Sequence, residues 1–379
     1  MPSFHIALTG DFLDEHGSSA YGDLQLRPLD EAAYISYRFL TEQSPTGDDP
    51  TYWNRFYSLE VTANQLDGVH GLIVLRPWVK RAALAEGARD LVVIGRSGAG
   101  YDKIDVEACT EHDVALFNAP HALNHSTASS VLLFMLALAK KLPQQDRVTR
   151  LGRWDQQASV LGSEIQGRTL GIVGLGRSGR ELVRLVAPFG MRVVAYSPNA
   201  DPQQAAELGV RLTTLDELLS ESDFVSLHCR LTPQTRGMIG KAELARMKHT
   251  AYFINVARGE LVDQVALVQM LRTRRIAGAG LDVFDHEPLP AGDPLLTLDN
   301  VIVTPHWSAS TSDVWQATAQ AMTAGMLKSA SGEIPDDVVN REVLDRPGFR
   351  HKLARFAANQ SAASLSSGPV AKTNSPQNP

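Results

Sequence analysis

The chain has 379 residues, of which 44% are hydrophobic and 21% are charged, and its formal net charge is -6. That length exceeds what one hydrophobic core normally serves, so two domains are expected. The acidic balance and the lack of any Lys/Arg-rich block argue against a nucleic-acid partner.

The first residues and the cysteines indicate a cytoplasmic protein. The opening segment MPSFHIALTGDFLDEHG lacks the basic and apolar regions of a signal peptide, and FHIAL within it predicts a first strand. Cys109 and Cys229 lie far apart without metal-ligand spacing, so neither a disulfide framework nor a metal site is predicted. The apolar run VLLFMLALA (131–139) is shorter than the roughly 20 residues that span a bilayer. It predicts a buried helix, and no membrane partner is expected.

Short apolar strands alternate with helical stretches along most of the chain. The predicted strands are GLIVL (71–75), LVVIG (91–95), VALFN (114–118), GIVGL (171–175), RVVAY (192–196), FVSLH (224–228), AYFINV (251–256), AGAGLDVF (277–284) and VIVTPH (301–306). Repeated strand–helix units predict doubly wound α/β domains, in which helices cover both faces of a parallel sheet.

The domain order follows from a glycine-rich turn that lies in mid-chain, at 174–179. A dinucleotide-binding fold normally begins with such a turn, so the residues before it must form another domain. We predict a Rossmann dinucleotide-binding domain over 120–311, inserted in a discontinuous flavodoxin-like substrate domain formed by 1–119 and 312–350. The Ser/Pro/Asn-rich residues 359–379 predict a disordered tail.

The glycine-rich turn, GIVGLGRSGRELV, has the spacing G-x-G-x-x-G. Gly174 permits the tight turn, Gly176 lets the backbone approach a pyrophosphate, and Gly179 allows close helix–strand packing. Arg177 and Ser178 fill the intervening positions. Because the turn follows a strand and opens an amphipathic helix, it predicts a cofactor phosphate site. The alternative is a glycine-rich corner without a ligand.

Three later stretches carry chemically useful side chains just past predicted strands. INVARGELVD contains Arg258, LDVFDHEPL contains Glu287 and VTPHWSAST contains His306. The carboxyl ends of parallel strands line the ligand crevice, so the three are expected near the cofactor. Arginine binds carboxylates, histidine transfers protons near neutral pH, and a carboxylate orients and stabilises imidazolium. Alternatively, each residue alone fits a structural role: a surface ion pair, a helix cap or a core histidine.

These stretches resemble the D-isomer-specific 2-hydroxyacid dehydrogenase family. GIVGLGRSG, INVARGELVD, GLDVFDHEP and TPHWSAST match its motifs in order, as do GRSGAGYDKID (95–105), FNAP (117–120) and DDVVN (336–340). The resemblance covers about residues 70–345, and VVNREVLDRPGFRHKLARF resembles a phosphoglycerate-dehydrogenase-like subgroup. It implies an oxidoreductase that interconverts a 2-oxo acid and a D-2-hydroxy acid with NAD or NADP.

The resemblance also implies roles for individual residues. His306 is the acid/base, Glu287 orients it, and Arg258 binds the carboxylate and carbonyl oxygen of the substrate. The remaining implied contacts are Asp282 with the nicotinamide carboxamide, Ser97 and Gly98 with the substrate carboxylate, and His228, Ala257 and His306 with the cofactor.

Three positions depart from the family pattern. Ser129 stands where glutamate is common, Arg230 where proline is usual, and Ser197 where an acid normally follows the second strand. That acid holds the adenosine ribose and repels the 2′-phosphate of NADP. We therefore predict that NADP is tolerated, with Arg230 as a candidate phosphate contact. The alternative is strict NAD use, with a solvated Arg230 and with Ser197 and Asn199 binding the ribose.

Further expectations concern the substrate, the assembly and the class of protein. Arg76, in LIVLRPWVK, is either a second substrate-facing cation or a solvated loop arginine. Residues 151–167 resemble an arm that packs against a partner subunit, so a homodimer is predicted. Trp154 is either its apolar anchor or an ordinary core tryptophan. The alternative function is a non-enzymatic, dinucleotide-sensing, corepressor-like protein of the same fold.

Overall fold

The computed structural model describes residues 2–47, 49 and 51–359, which form two compact units. One unit contains the chain up to Ala119 and the chain from Trp315 onward, and the other is Pro120–Val314. The predicted boundaries lie at 119/120 and 311/312. Each unit is built on one parallel sheet, which confirms the predicted pair of α/β domains.

The first unit contains five parallel strands in the order β2-β1-β3-β4-β5, which is the flavodoxin-like order. The strands are β1 Phe4–Thr9, β2 Ile35–Leu40, β3 Gly71–Val74, β4 Val93–Arg96 and β5 Ala115–Asn118. The helices before the second unit are α1 Arg27–Asp30, α2 Tyr52–Arg55, α3 Arg81–Gly87 and α4 Val106–Glu111. The predicted flavodoxin-like topology is confirmed.

The predicted strands of the first unit are largely buried on both faces. Leu72, Ile94 and Leu116 have no exposed surface, as expected for central strands of a parallel sheet. Strand β2 was not predicted. It is an edge strand whose residues are mostly half-buried or exposed, so it lacks the continuous apolar run that marked its neighbours.

The first unit extends further along the chain than predicted. Helix α13, Pro347–Ala354, continues past the predicted end at residue 350, and a 3₁₀ turn, Ala357–Asn359, follows it. Phe349 and Phe356 are buried, and the Asn359 amide donates to the Pro2 and Ala330 carbonyls. The prediction that the disordered tail starts at Asn359 is therefore wrong, because apolar anchors and hydrogen bonds hold this residue. The rest of the predicted tail lies outside the described residues.

His70, next to β3, is a buried histidine in the first unit. Its Nδ1 accepts a hydrogen bond from the His5 backbone N–H at 2.9 Å, and its ring packs against Phe356. Burial, helped by the charges of His5 and Arg355, lowers the pKa of His70 to about 4. The folded protein therefore contains this imidazole in its neutral form.

This neutral histidine predicts acid sensitivity of folding. In the unfolded chain His70 takes up a proton near pH 6.5, whereas the folded chain takes it up near pH 4. The free energy of unfolding should therefore fall as the pH drops through this window, by at most about 1.4 kcal/mol per pH unit. His70→Asn retains an acceptor without titrating, so its urea unfolding should show a shallower decline. The exposed control His16→Asn should follow the wild type, and equal slopes in all three proteins would contradict the prediction.

The second unit contains seven parallel strands in the order β12-β11-β10-β9-β6-β7-β8. The strands are β6 Thr169–Val173, β7 Arg192–Tyr196, β8 Val210–Leu212, β9 Phe224–Leu227, β10 Tyr252–Asn255, β11 Gly278–Leu281 and β12 Val301–Val303. The helices are α5 Pro120–Ala139, α6 Leu142–Arg150, α7 Arg177–Val186, α8 Pro202–Glu207, α9 Leu215–Glu221, α10 Lys241–Arg246 and α11 Gln264–Arg272. Helix α12, Ser312–Ala330, starts in this unit and continues in the first. This is the predicted Rossmann arrangement with a seventh strand added.

The pairing register aligns the strand ends at one edge of this sheet. Val303, Leu281, Asn255, Leu227, Val173 and Tyr196 form one continuous row of paired residues. The residues that follow them in sequence consequently leave the sheet at the same edge. This edge is where an open α/β sheet binds its ligand.

Helix α5 is the longest helix that the structure describes. By length and composition alone its 20 residues could cross a membrane. In the structure the Phe134 ring packs on Gly280 of β11, and α5 also contacts α7. At the position where the family often has glutamate, Ser129 Oγ donates to the Ser126 carbonyl within the helix.

Candidate active site

The glycine-rich turn lies directly after β6, and its three glycines differ in what a Cβ atom would meet at each position. Gly174 has φ +100°, and a Cβ there would lie 2.7 Å from the Cys229 amide nitrogen. A Cβ on Gly179 would lie 2.6 Å from the Gly174 carbonyl oxygen. Gly176 instead faces open space and begins helix α7 without a side-chain cap. This open helix N-terminus fits a cofactor diphosphate.

His228 closes one side of this turn. Its Nδ1 is 3.0 Å from Ser178 Oγ, and its Nε2 is 3.0 Å from Ser226 Oγ. Burial lowers the pKa of His228 to about 4, so the ring is neutral near pH 7. Ser178 is in the first turn of α7, after Arg177, so this neutral ring links the predicted phosphate site to strand β9.

Ser197 and Arg230 flank the turn from opposite sides. Ser197 follows β7 and is partly buried, whereas Arg230 lies in the exposed loop after β9. Strand β6, which ends in the glycine turn, runs between those two strands. Ser197 and Arg230, on which the predicted tolerance of NADP depends, are thus at the edge predicted to hold the cofactor.

Arg258 follows β10 in a loop shaped by Asn255. The Asn255 amide donates to the Arg258 carbonyl at 2.8 Å, and its oxygen accepts from the Ala257 backbone N–H at 3.0 Å. Arg258 Nη1 donates to the Ala257 carbonyl at 2.7 Å. The buried Asn255 thereby fixes the backbone of Ala257 and Arg258, from which the guanidinium extends.

Gly259 brings this loop against the loop that follows β11. A Cβ at Gly259 would lie 1.8 Å from the Phe284 carbonyl carbon and 2.4 Å from the Asp285 nitrogen, so only glycine permits the observed approach. The close contact positions Arg258 next to the segment that contains Glu287. Consistent with this, the Arg258 charge contributes to the pKa shift of Glu287.

Asp282 organises the loop that contains His306. Its Oδ1 accepts hydrogen bonds from Thr304 Oγ1 at 2.5 Å, the Trp307 N–H at 2.9 Å and the Ser308 N–H at 3.0 Å. Its carbonyl accepts from the His306 N–H at 2.8 Å. These bonds hold His306 at φ +54°, a left-handed conformation that costs a non-glycine residue free energy.

His306 and Glu287 form a hydrogen-bonded pair. Glu287 Oε2 lies 2.7 Å from His306 Nδ1, and Oε1 accepts from the Phe284 N–H at 3.1 Å. Nδ1 is the ring nitrogen that faces the carboxylate, and Nε2 lies on the opposite side of the imidazole. The His306 side chain is 32% exposed, whereas that of Glu287 is 15% exposed.

The carboxylate of this pair stays ionised. Burial alone would raise the pKa of Glu287, but the hydrogen bond and charge of His306, the Phe284 N–H and the Arg258 charge together lower it. The structure therefore brings Arg258, Glu287 and His306 to one edge of the sheet, with an ionised carboxylate against the imidazole.

The predicted substrate clamp lies at the carboxyl end of β4 in the first unit. Ser97 is buried, and Gly98 has φ +139°. A Cβ on Gly98 would lie 2.7 Å from Arg96 Nη1, and this nitrogen also donates to the Ser97 carbonyl. Arg96 is a charged neighbour of the clamp that the sequence analysis did not single out.

Arg76 is buried and tied to other side chains. Its guanidinium lies 3.6 Å from Asp11, donates to Tyr21 Oη at 3.0 Å and lies over the Phe56 ring. Burial raises the pKa of Asp11 despite the charge of Arg76. The alternative of a solvated loop arginine is wrong, since the Arg76 side chain is 9% exposed. A substrate contact stays a prediction that these fixed partners do not favour.

The predicted arm is exposed in the single chain. Trp154 is 63% exposed, so it is not a core tryptophan. Leu142, Leu151 and Leu161 are also large exposed hydrophobic residues within this short part of the chain. Residues 142–161 therefore present an apolar surface on the second unit.

Comparisons with known proteins identify the family. The model for D-isomer specific 2-hydroxyacid dehydrogenase, NAD binding domain, matches residues 132–308. A glyoxylate reductase of Korarchaeum cryptofilum is 40% identical over 274 residues, which are 71% of this chain and 82% of that protein. A D-3-phosphoglycerate dehydrogenase of Methanocaldococcus jannaschii is 43% identical over 256 residues, which are 67% of this chain and 48% of that protein.

The chain belongs to the D-isomer-specific 2-hydroxyacid dehydrogenase family. The resemblance inferred from the sequence is thereby confirmed. Among solved structures, a Thermus thermophilus protein has a TM-score of 0.75 at 31% identity, covering 89% of this chain and 100% of that chain. A glyoxylate reductase of Paecilomyes thermophila has a TM-score of 0.74 at 28% identity, covering 90% and 100%. The corepressor-like alternative gains no support from these relatives, two of which are named as reductases and one as a dehydrogenase.

Several residues of this family site were not found from the sequence. Asn255 and Gly259 shape the Arg258 loop, and Thr304 fixes Asp282. One feature of the sequence could have indicated Asn255: it is a polar residue at the last position of a buried strand. The NAD-binding domain of the family supports a nicotinamide cofactor for the edge that these residues line.

Proposed function

We propose that this protein interconverts a 2-oxo acid and the corresponding D-2-hydroxy acid, with Arg258, Glu287 and His306 as its catalytic residues. The His306–Glu287 pair beside Arg258, at the sheet edge that carries the glycine turn, is the observation that supports this most. A bound nicotinamide supplies or accepts a hydride at the substrate carbon.

His306 moves the proton. Its Nδ1 is held by Glu287, so Nε2 faces the substrate oxygen and protonates it during reduction. In the oxidative direction the same nitrogen removes the hydroxyl proton. The ionised Glu287 stabilises the imidazolium form and fixes the tautomer of the neutral form.

Arg258 binds the carboxylate of the substrate and polarises its carbonyl oxygen. A guanidinium suits both tasks because it stays charged and presents several donors in one plane. The Asn255 bonds and the close approach at Gly259 fix the Arg258 backbone. A role of the Ser97 and Gly98 backbone in binding a carboxylate stays a prediction.

The relatives named as glyoxylate reductases support small 2-oxo acids as substrates. The test is cofactor oxidation by the purified protein, followed spectrophotometrically with glyoxylate, hydroxypyruvate and pyruvate. Turnover of at least one of them is expected with wild type, with strong loss in Arg258→Ala. Failure with every 2-oxo acid would reject the proposed reaction.

We propose that both NADH and NADPH serve as cofactors. Ser197 places no negative charge at the end of β7, and Arg230 offers a cation on the other side of the glycine turn. Ser197→Asp should lower kcat/KM for NADPH by about tenfold or more, because a carboxylate repels the 2′-phosphate. Arg230→Ala should lower the efficiency with NADPH more than that with NADH.

A neighbouring arginine provides the control for this prediction. Arg236 lies in the same loop as Arg230, and its exposed side chain pairs with Glu260. Arg236→Ala removes this side chain. Its ratio of NADPH to NADH efficiency should equal that of wild type. If NADPH is not used, or if Arg230→Ala leaves that ratio unchanged, the proposed role of Arg230 is wrong.

We also propose a homodimer formed through residues 142–161. The exposed Leu151, Trp154 and Leu161 side chains support this, since such apolar surface favours association. Light scattering should give twice the chain mass of 41.2 kDa. Trp154→Glu should shift the population toward monomer, and a wild-type monomer at micromolar concentration would reject the dimer.

A further inference from the structure

The second unit contains a cavity that the proposed reaction does not use. Its volume is about 400 Å³, within the range of about 300–1,000 Å³ typical of small-molecule pockets. Tyr252 begins β10, Ala277 precedes β11 and Asn300 precedes β12, and all three line it. The cavity is therefore at the amino edge of the sheet. Arg258 and His306 lie at the carboxyl edge, about 10–15 Å away along strands of three to five residues.

Two acceptors at this cavity have no donor among the residues that the structure describes. Asn300 is 6% exposed, and its amide nitrogen donates to the Leu271 and Ala277 carbonyls, which fixes the amide orientation. Its Oδ1 has no hydrogen-bond partner, and neither does the buried Oε1 of Gln144. A buried acceptor without a donor is costly, so these oxygens favour a ligand that donates hydrogen bonds.

Two donors complete the lining. Within the described part of the chain, no carboxylate lies within 4.0 Å of Lys141 Nζ, and no hydrogen bond involves the Tyr252 hydroxyl. Burial raises the pKa of the Tyr252 phenol, which keeps it protonated. The other charges at the cavity, Arg274 and Asp299, are paired with each other. The lining thus offers a cation and a hydroxyl to an anion, and two acceptors to a cation.

We propose that this cavity binds a small α-amino acid, with its carboxylate at Lys141 and Tyr252 and its ammonium group at Asn300 and Gln144. A zwitterion satisfies both pairs of groups, whereas a simple anion leaves the two acceptors without donors. Ser159 and Val160 of the 142–161 surface form another part of the lining. Bound amino acid therefore also contacts the segment proposed to pack against a second copy. This site does not depend on the proposed reaction.

The test is titration calorimetry of the full chain with glycine, L-alanine and L-serine, and with acetate and methylammonium as half-ligands. At least one amino acid should bind, and each half-ligand should bind about tenfold more weakly or worse. Lys141→Met should weaken amino-acid binding by about tenfold, and Tyr252→Phe by about threefold. Lys140→Met is the matched control, because the neighbouring Lys140 pairs with Glu164 and does not line the cavity.

A second variant separates this cavity from the active site. Arg258→Ala should retain amino-acid binding, whereas binding that disappears in this variant would place the ligand at the active site and overturn the proposal. Acetate that binds as tightly as glycine would overturn the zwitterion assignment. The proposal also fails if none of the amino acids binds. If, in addition, Lys141→Met weakens subunit association, a second copy of the chain fills the cavity instead.

Discussion

Replacing His306 with alanine should lower kcat by about 10²–10⁴-fold while cofactor binding stays intact. The substitution removes Nε2, the nitrogen that we propose protonates the substrate oxygen, and it also removes Nδ1, which lies 2.7 Å from Glu287 Oε2. Steady-state kinetics with the best 2-oxo acid, together with fluorescence titration of the cofactor, separates the two effects. His249→Ala, at an exposed histidine after α10, should behave as wild type.

Glu287→Gln tests the partner of His306. Wild-type Glu287 has a lowered pKa and is ionised near neutrality. Glutamine retains an acceptor for Nδ1 but lacks the charge that stabilises a proton arriving on the ring. We therefore expect kcat to fall and its pH profile to change, with a smaller change in substrate affinity. A near-normal kcat in His306→Ala would reject the assignment of His306.

Replacing Gly259 with alanine should lower kcat/KM by about 10²-fold or more. A Cβ at this position would lie 1.8 Å from the Phe284 carbonyl carbon, so the Arg258 loop and the Glu287 loop must separate. A displacement of about 1 Å between catalytic groups is sufficient for such a loss. Circular dichroism and cofactor titration should show that the variant is folded and still binds cofactor at the glycine turn.

Gly292→Ala is the matched control for this prediction. Gly292 follows Glu287 in the same connection, and a Cβ there meets nothing within 4 Å. This variant should retain wild-type kcat/KM. If Gly259→Ala were also within about threefold of wild type, the close approach of the two loops would not be what positions Arg258.

The sequence allowed prediction of features that depend on local patterns. The glycine turn could be predicted because the φ of +100° at Gly174 and the approach of Gly179 to the Gly174 carbonyl are set within one strand–turn–helix unit. The meeting of Arg258, Glu287 and His306 at one edge followed from the parallel sheet, since each residue comes soon after a strand end. Their roles in catalysis stay predictions until the variants are measured.

Features that depend on distant contacts could not be predicted. The requirement for glycine at 259 comes from Phe284, in a different loop. The burial of Arg76 comes from Asp11 and Tyr21, in the connection between β1 and β2, and from Phe56, in the connection between β2 and β3. Strand β2 and the packing of Asn359 were also missed, because neither segment has an apolar pattern of its own and both depend on contacts with other parts of the chain.

The hydrogen bonds of Asp282 restrict how this protein can evolve. One carboxylate oxygen accepts three hydrogen bonds and thereby sets the backbone of His306. Asparagine is nearly the same size, but its oxygen is neutral and accepts two hydrogen bonds well rather than three. Even this isosteric step should therefore pass through a poorly active intermediate. The Ser197 side chain makes no hydrogen bond within the described part of the chain, so the cofactor preference that we propose it influences can change while the Asp282 contacts stay fixed.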